Sequence, residues 1–156
     1  MNICIISGYF NPIHPGHISM IQDIKSQYPD CALIAIVNND YQVKLKKSIP
    51  FLDEAARCYI VQHTQNVDKA FLSIDQDSSI VQSLTTIYTN IKEENKEDCC
   101  DFYFFNGGDR DPNSASTPEV EFCNLNNIRL EYRCGDSKTY SSSELIQKSC
   151  NYLLTK

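Results

Sequence analysis

No run of apolar residues in this 156-residue chain is long enough to cross a membrane as a helix. The N-terminus enters a strand pattern directly, with no basic leader and no small-residue cleavage site, so no signal peptide is expected. Positive charge is also scarce. Lys and Arg number 14 against 20 Asp and Glu, a formal net charge of −6. Non-specific nucleic-acid binding is therefore not expected, and any cations at a phosphate site must be local exceptions on an acidic surface. Cys-x-x-Cys does not occur, and no histidine stands at zinc-finger spacing from a cysteine pair. The 8 cysteines are read as reduced thiols of a cytoplasmic protein. Cys4 and Cys31 lie in apolar strand patterns, where a thiol behaves as a small hydrophobe. Repeats, low-complexity tracts and linkers are missing as well. With 42% hydrophobic residues the chain is too apolar to be disordered, and one domain over residues 1–156 is expected.

What is present alternates between strand and helix patterns. Apolar strands are expected at 2–6, Ala32–Val37, 70–74, 102–105 and 128–132. The run Ala32-Leu33-Ile34-Ala35-Ile36-Val37 is continuous, as for a parallel strand covered on both faces. Helices are expected at 16–28, at 53–65 with Leu52, Ala56, Ile60 and His63 facing inward, from Ser78 or Ser79 as cap through Ile91, at 119–125, and from Ser141 to about Leu154. Glu93 to Asp98 reads as a solvated charged stretch. The alternation predicts an α/β, Rossmann-like fold with a five-stranded, mainly parallel sheet flanked by helices. Ligands of such sheets bind beyond the C-terminal ends of the strands.

The most informative segment lies at the first such end. Gly8-Tyr9-Phe10-Asn11-Pro12-Ile13-His14-Pro15-Gly16-His17 joins strand 1 to helix 1. A glycine-bearing loop opening a helix aims backbone N–H groups and the helix dipole at an anion. His14 and His17 then stand where a phosphate would lie, and either imidazole can donate an N–H to it. The plainer reading is that they cap helix 1.

This stretch resembles the signature of the cytidylyltransferase-like nucleotidyltransferases, with His-x-Gly-His in the first loop. Three further elements fit the same resemblance in order. Lys44, Lys46 and Lys47 follow strand 2. Gly107-Gly108-Asp109 follows strand 4. Tyr140-Ser141-Ser142-Ser143-Glu144-Leu145 is similar to the family's Ile-Ser-Ser-Thr-x-Ile element. Two departures stand out. Asn11 replaces the Asp of several branches, and Leu145 and Ile146 stand where the family often has a basic residue.

The resemblance implies a reaction and roles. A phosphate oxygen of a small substrate attacks the α-phosphorus of a nucleoside triphosphate, and pyrophosphate leaves. His14, His17 and Lys47 are the implied catalytic groups. Gly8, Tyr9, Phe10, Asn11, Gly16, Lys46, Gly107, Gly108, Asp109, Ser141, Ser142 and Ser143 are the implied nucleotide contacts. Lys44 and Arg110 are candidates for the acceptor. The cofactor is Mg²⁺, brought with the triphosphate, and no metal ligand is assigned. ATP or CTP is the donor. A sugar or polyol phosphate is the expected acceptor, from the similarity to sugar-phosphate and glycerol-phosphate branches. Nicotinamide- or nicotinate-nucleotide and pantetheine-phosphate adenylyltransferases remain alternatives, as does a non-catalytic nucleotide-binding relative. A homodimer is left open.

Overall fold

The computed structural model describes residues 1–94, 100–107, 117–134 and 140–155. Eleven elements follow in order: β1 (Asn2–Gly8), α1 (Pro15–Gln27), β2 (Ala32–Val37), α2 (Asp40–Leu45), α3 (Glu54–Gln62), β3 (Lys69–Leu72), α4 (Val81–Glu94), β4 (Asp101–Gly107), α5 (Pro118–Leu125), β5 (Arg129–Cys134) and α6 (Ser142–Leu154). The strands form one sheet in the order β3-β2-β1-β4-β5, and every neighbouring pair is parallel. The expected α/β architecture is therefore present, with β1 at its centre. The order reverses between β1 and β4, the switch point at which ligands of such sheets generally bind.

Side-chain alternation along β1 divides the core. Cys4 and Ile6 pack with Met20, Ile21 and Ile24 of α1 on one face. Ile3 and Ile5 pack with Leu84 and Ile87 of α4 on the other. Burial on both faces explains why β1, β2 and β4 read as apolar runs rather than alternating patterns. No helix among the described residues is long and apolar enough to cross a membrane.

Three details differ from the sequence pattern. The segment after β2, which carries the lysine cluster, contains a six-residue helix, α2, that the strand and helix pattern did not include. Asn39 and Gln42 exchange side-chain and backbone bonds in a capping box. The Gln42 amide also donates to Asp77 O and Ser79 O, and that of Asn39 to Ser73 O and Asp75 O. A short helix that cannot stand alone is thus tied to the loop after β3.

The inner face of α3 is also rotated. Arg57 and Val61 are its buried residues, whereas Leu52, Ile60 and His63 are exposed. The inward position belongs to a guanidinium with polar partners, which an apolar-periodicity argument cannot find. Finally, the first-turn N–H groups of α4 are taken mainly by Asp75, not by Ser78 or Ser79. Gln82 N and Ser83 N donate to its carboxylate at 2.8 and 3.0 Å, and Ser73 and Ser83 hydroxyls complete its shell. Asp75 is fully buried, so this shell is what makes its burial tolerable.

Asp75→Asn keeps the shape but turns an NH₂ toward donors. It should cost about 1.5–3 kcal/mol, the usual worth of bonds to a charged acceptor. Urea unfolding would measure the loss, and an unchanged midpoint would refute this account of the α4 cap.

Candidate active site

β1 ends at Gly8, whose carbonyl accepts the Asn38 N–H at 2.9 Å. The chain then turns inward. Phe10 has φ of 45°, is 2% exposed, and places its ring 4.8 Å from that of His17. A Cβ on Gly8 would come within 3.2 Å of the Phe10 ring, a tight approach that glycine makes without displacing the ring. The Asn11–Pro12 peptide is cis, and α1 begins at Pro15.

His14 is the N-cap of α1 and His17 its third residue, and the two form a capping box. Nδ1 of His14 accepts the Gly16 N–H at 3.2 Å. Nδ1 of His17 accepts the His14 N–H at 3.2 Å. A Cβ on Gly16 would lie 3.1 Å from the His14 ring, which explains glycine at the centre of the motif. A backbone N–H can only donate, so each Nδ1 must present a lone pair. The proton of each neutral imidazole is then on Nε2. Capping therefore uses Nδ1 of each ring and places the proton of the neutral ring on the opposite nitrogen. The ring centroids are 3.9 Å apart. Burial, then the charge of His14, pushes the pKa of His17 down to about 3, so His17 is a neutral donor at ordinary pH.

The last motif meets the first. Ser141 caps α6 by accepting the Glu144 N–H at 3.1 Å. Ser142 Oγ donates to Pro12 O at 2.9 Å, while Ser143 is exposed. The N-terminus of α6 thus adjoins the histidine loop. On the other side, Lys44, Lys46 and Lys47 are all exposed. Lys44 lies in the last turn of α2 and Lys46 is its C-cap. Lys47 has φ of 56°, the left-handed position where glycine is usual. Lys47 N donates to Lys44 O and Ser48 N to Val43 O, closing the helix end. The Lys46 ammonium sits 4.6 Å from the centre of the Tyr9 ring.

Asn11 is buried at 3% exposure, its amide bonded to Ile49 O and Phe51 N. Gly107 ends β4 opposite Cys134. Gly108, Asp109 and Arg110 lie outside the described residues. Among the described residues, no three His, Cys, Asp or Glu groups converge to hold a metal ion.

Sequence reasoning missed Arg57. It is 1% exposed, and its guanidinium donates to Tyr9 O at 2.6 Å, Asn38 O at 2.8 Å and Leu52 O at 3.1 Å. The remaining arm pairs with Asp40 at 2.7 Å. Three of these four acceptors are main-chain carbonyls, which no side-chain motif records.

A parallel sheet with paired imidazoles at a helix start beyond its central strand defines a nucleotidyltransferase-type fold and loop. Residues 5–148 match the family model described as cytidylyltransferase-like, and the chain belongs to that family. An FAD synthase of Korarchaeum cryptofilum is 40% identical over 70 residues, 44% of this chain and 48% of that protein. An FAD synthase of Methanobrevibacter ruminantium is 35% identical over 72 residues, 46% of this chain and 48% of that protein. The chain spans about half the length of these curated relatives. The lipopolysaccharide core biosynthesis protein of Thermoplasma volcanium superposes with a TM-score of 0.56 at 21% identity, over 90% of this chain and 99% of that one. The bifunctional NMN adenylyltransferase/ADP ribose pyrophosphatase of Francisella tularensis, complexed with AMP and a Mn ion, gives 0.57 at 14% identity, over 96% and 42%. The two structural likenesses establish the fold.

The low pKa of His17 has a consequence for stability. Between about 3 and the ordinary 6.5 the unfolded chain binds more protons at this site than the folded one. The contribution of neutral His17 is therefore complete above pH 6.5 and lost progressively as pH falls toward 3. His17→Gln retains a capping-box acceptor but does not titrate. Its stability should fall less steeply than that of the unaltered protein between pH 6.5 and 4. Parallel profiles in urea unfolding would contradict the assignment.

Proposed function

We propose that the protein transfers AMP or CMP from a nucleoside triphosphate to the phosphate of a small phosphorylated metabolite, releasing pyrophosphate. The observation that carries this reading is the His14–His17 pair, whose Nδ1 atoms accept the N–H groups of the cap, so that each neutral ring carries its proton on Nε2. An acceptor phosphate oxygen forms the new bond to the α-phosphorus, and the bond to the pyrophosphate oxygen breaks. Negative charge grows on the α-phosphoryl oxygens and the leaving group. Oriented donors at a helix start meet that charge without reorganising. Positioning supplies the rest, and no covalent protein intermediate is needed.

Mg²⁺ is proposed to come with the triphosphate. The described residues do not build a cage for it, and Mg²⁺ commonly keeps waters and substrate phosphates as ligands. Lys44, Lys46 and Lys47 supply positive charge that neutral His17 does not, with Lys47 as the proposed catalytic lysine. Gly8, Tyr9, Phe10, Gly16 and the Ser141–Ser143 element border the nucleotide.

The acceptor is proposed to be a phosphomonoester. Sugar and polyol phosphates follow from the motif likeness. The FAD synthase relatives add flavin phosphate, because FAD carries an adenylyl group on that phosphate, and they favour ATP as donor. Pyrophosphate release should be followed with ATP and CTP against sugar phosphates, polyol phosphates, flavin mononucleotide and nicotinamide mononucleotide. No release with any pair would reject the reading in favour of a binding-only relative.

Two variants test the roles. His17→Ala should lower turnover by about 10²–10³-fold, the usual effect of losing one oriented donor. His17→Gln should recover the helix cap but not the turnover. A folded variant with full activity would remove His17 from the chemistry. Lys47 holds a left-handed conformation that glycine adopts without strain. Lys47→Gly should therefore keep or raise the melting temperature, while use of the phosphorylated acceptor drops on the order of tenfold. Unchanged kinetics would show Lys47 to be a surface residue only.

A further inference from the structure

The segment that carries the lysines has little side-chain packing of its own. Ile49 is 69% exposed and Phe51 59%, although both are apolar. Something other than core burial must hold this stretch against the histidine loop. The backbone bonds of α2 close the segment at its first end, through Lys47 and Ser48. At the other end stands Asn11. Its Nδ2 donates to Ile49 O at 2.8 Å, and its Oδ1 accepts the Phe51 N–H at 2.6 Å.

We propose that Asn11 is a positioning residue that latches segment 46–51 onto the histidine loop, with the Tyr9 ring completing the hold by seating the Lys46 ammonium. The proposal rests on the transfer reaction inferred above and assigns how the lysines reach it. A carboxamide offers a donor and an acceptor on one planar group, which the two-bond contact needs. A carboxylate could accept from Phe51 but would face the Ile49 carbonyl with no proton. Asn11 thus suits a latch better than it suits a charged ligand. Its burial agrees, because a side chain that reached substrate directly would not be 3% exposed with both polar ends committed.

Tyr9 and Asn11 flank Phe10, whose ring turns into the core. The two flanking residues are therefore left to meet the lysine segment. Tyr9 cannot drift from it, because Arg57 holds its carbonyl at 2.6 Å. The Lys46–Tyr9 contact is exposed and correspondingly weak. It tunes where the ammonium rests, whereas Asn11 sets where the backbone runs.

Amide hydrogen exchange and calorimetry on the full chain test this together. In Asn11→Ala, exchange at the Phe51 amide should quicken by roughly tenfold or more, and affinity for ATP or CTP should fall by a similar factor. Asn11→Asp, which keeps the volume, should leave Phe51 protected yet still weaken nucleotide binding through loss of the Ile49 bond. It also serves if the alanine variant does not fold. Combined with Lys46→Ala and Lys47→Ala, the Asn11→Ala effect on nucleotide affinity should largely vanish, since the latch acts through those lysines. Tyr9→Leu should cost about two- to fivefold in affinity. Unchanged Phe51 exchange in Asn11→Ala overturns the latch. Full additivity with the lysine variants overturns its action through them. An unaltered protein that binds neither ATP nor CTP and releases no pyrophosphate overturns the transfer reading, and the positioning role with it, whatever the exchange shows.

Discussion

A guanidinium almost without solvent contact ties the site together. Arg57 reaches Tyr9 of the histidine loop, Asn38 at the end of β2, Asp40 at the start of α2 and Leu52 before α3. A buried cation is expensive unless its protons find acceptors. Here four acceptors from four segments supply them, and only the half-exposed Asp40 carries a formal charge. The bonds to carbonyls are short and directional, so each segment has one position relative to the others. Were Arg57 replaced by a hydrophobe, the space could be filled but the four segments would lose their common reference. The role fits the best-attested use of buried charge, which is to specify one arrangement rather than to add stability.

In the histidine loop, one pair of side chains can serve both the fold and the proposed chemistry without conflict. An N-cap needs an acceptor, and an oxyanion site needs a donor. Neutral imidazole offers one of each on opposite sides of the ring. The capping bonds of His14 and His17 select which side is which. Burial then keeps His17 in that neutral state far below ordinary pH. Protonation would convert both nitrogens to donors and turn an N–H toward the backbone N–H it now accepts. The cap and the protonation state therefore enforce each other, and Gly16 is small so that the His14 ring can lie over it.

What could be read from the sequence was whatever depended on composition along the chain. β1, β2 and β4 were legible because burial on two faces leaves uninterrupted apolar runs, and the strand–loop–helix junction at Gly8–His17 was legible from its glycines and helix pattern. What depended on contacts across the chain was not. Helix α2 has only six residues and draws its support from the loop after β3, although the Asn39–Gln42 spacing did carry a capping signal. The inward face of α3 is hidden in the sequence because Leu52 and Ile60 look like core and Arg57 does not. Adjacent serines look like the cap of α4, whereas Asp75 supplies it from the loop after β3. At the site, His14, His17, Ser141 and Ser142 meet around one loop, but the main-chain acceptors of Arg57 and Asn11 leave no trace in side-chain patterns.

Charge and geometry are supplied by different groups, and they respond differently to the surroundings. In the proposed transfer the histidines are oriented donors, and His17 brings no net charge at neutral pH. Positive charge comes from Lys44, Lys46 and Lys47, all exposed on a chain of net charge −6. Salt screens exposed charges over about 10 Å at 0.1 M, so the attraction of these lysines for a polyanion weakens with ionic strength. The bonds that place them do not depend on formal charge in the same way. Asn11 holds the segment through two neutral hydrogen bonds, and the end of α2 is closed through backbone bonds. A rise in salt would thus reduce their pull on any polyanion while leaving the lysine segment in place. Separating the two tasks lets an acidic protein keep a small cationic edge at one point of its surface without relying on that charge to build the edge.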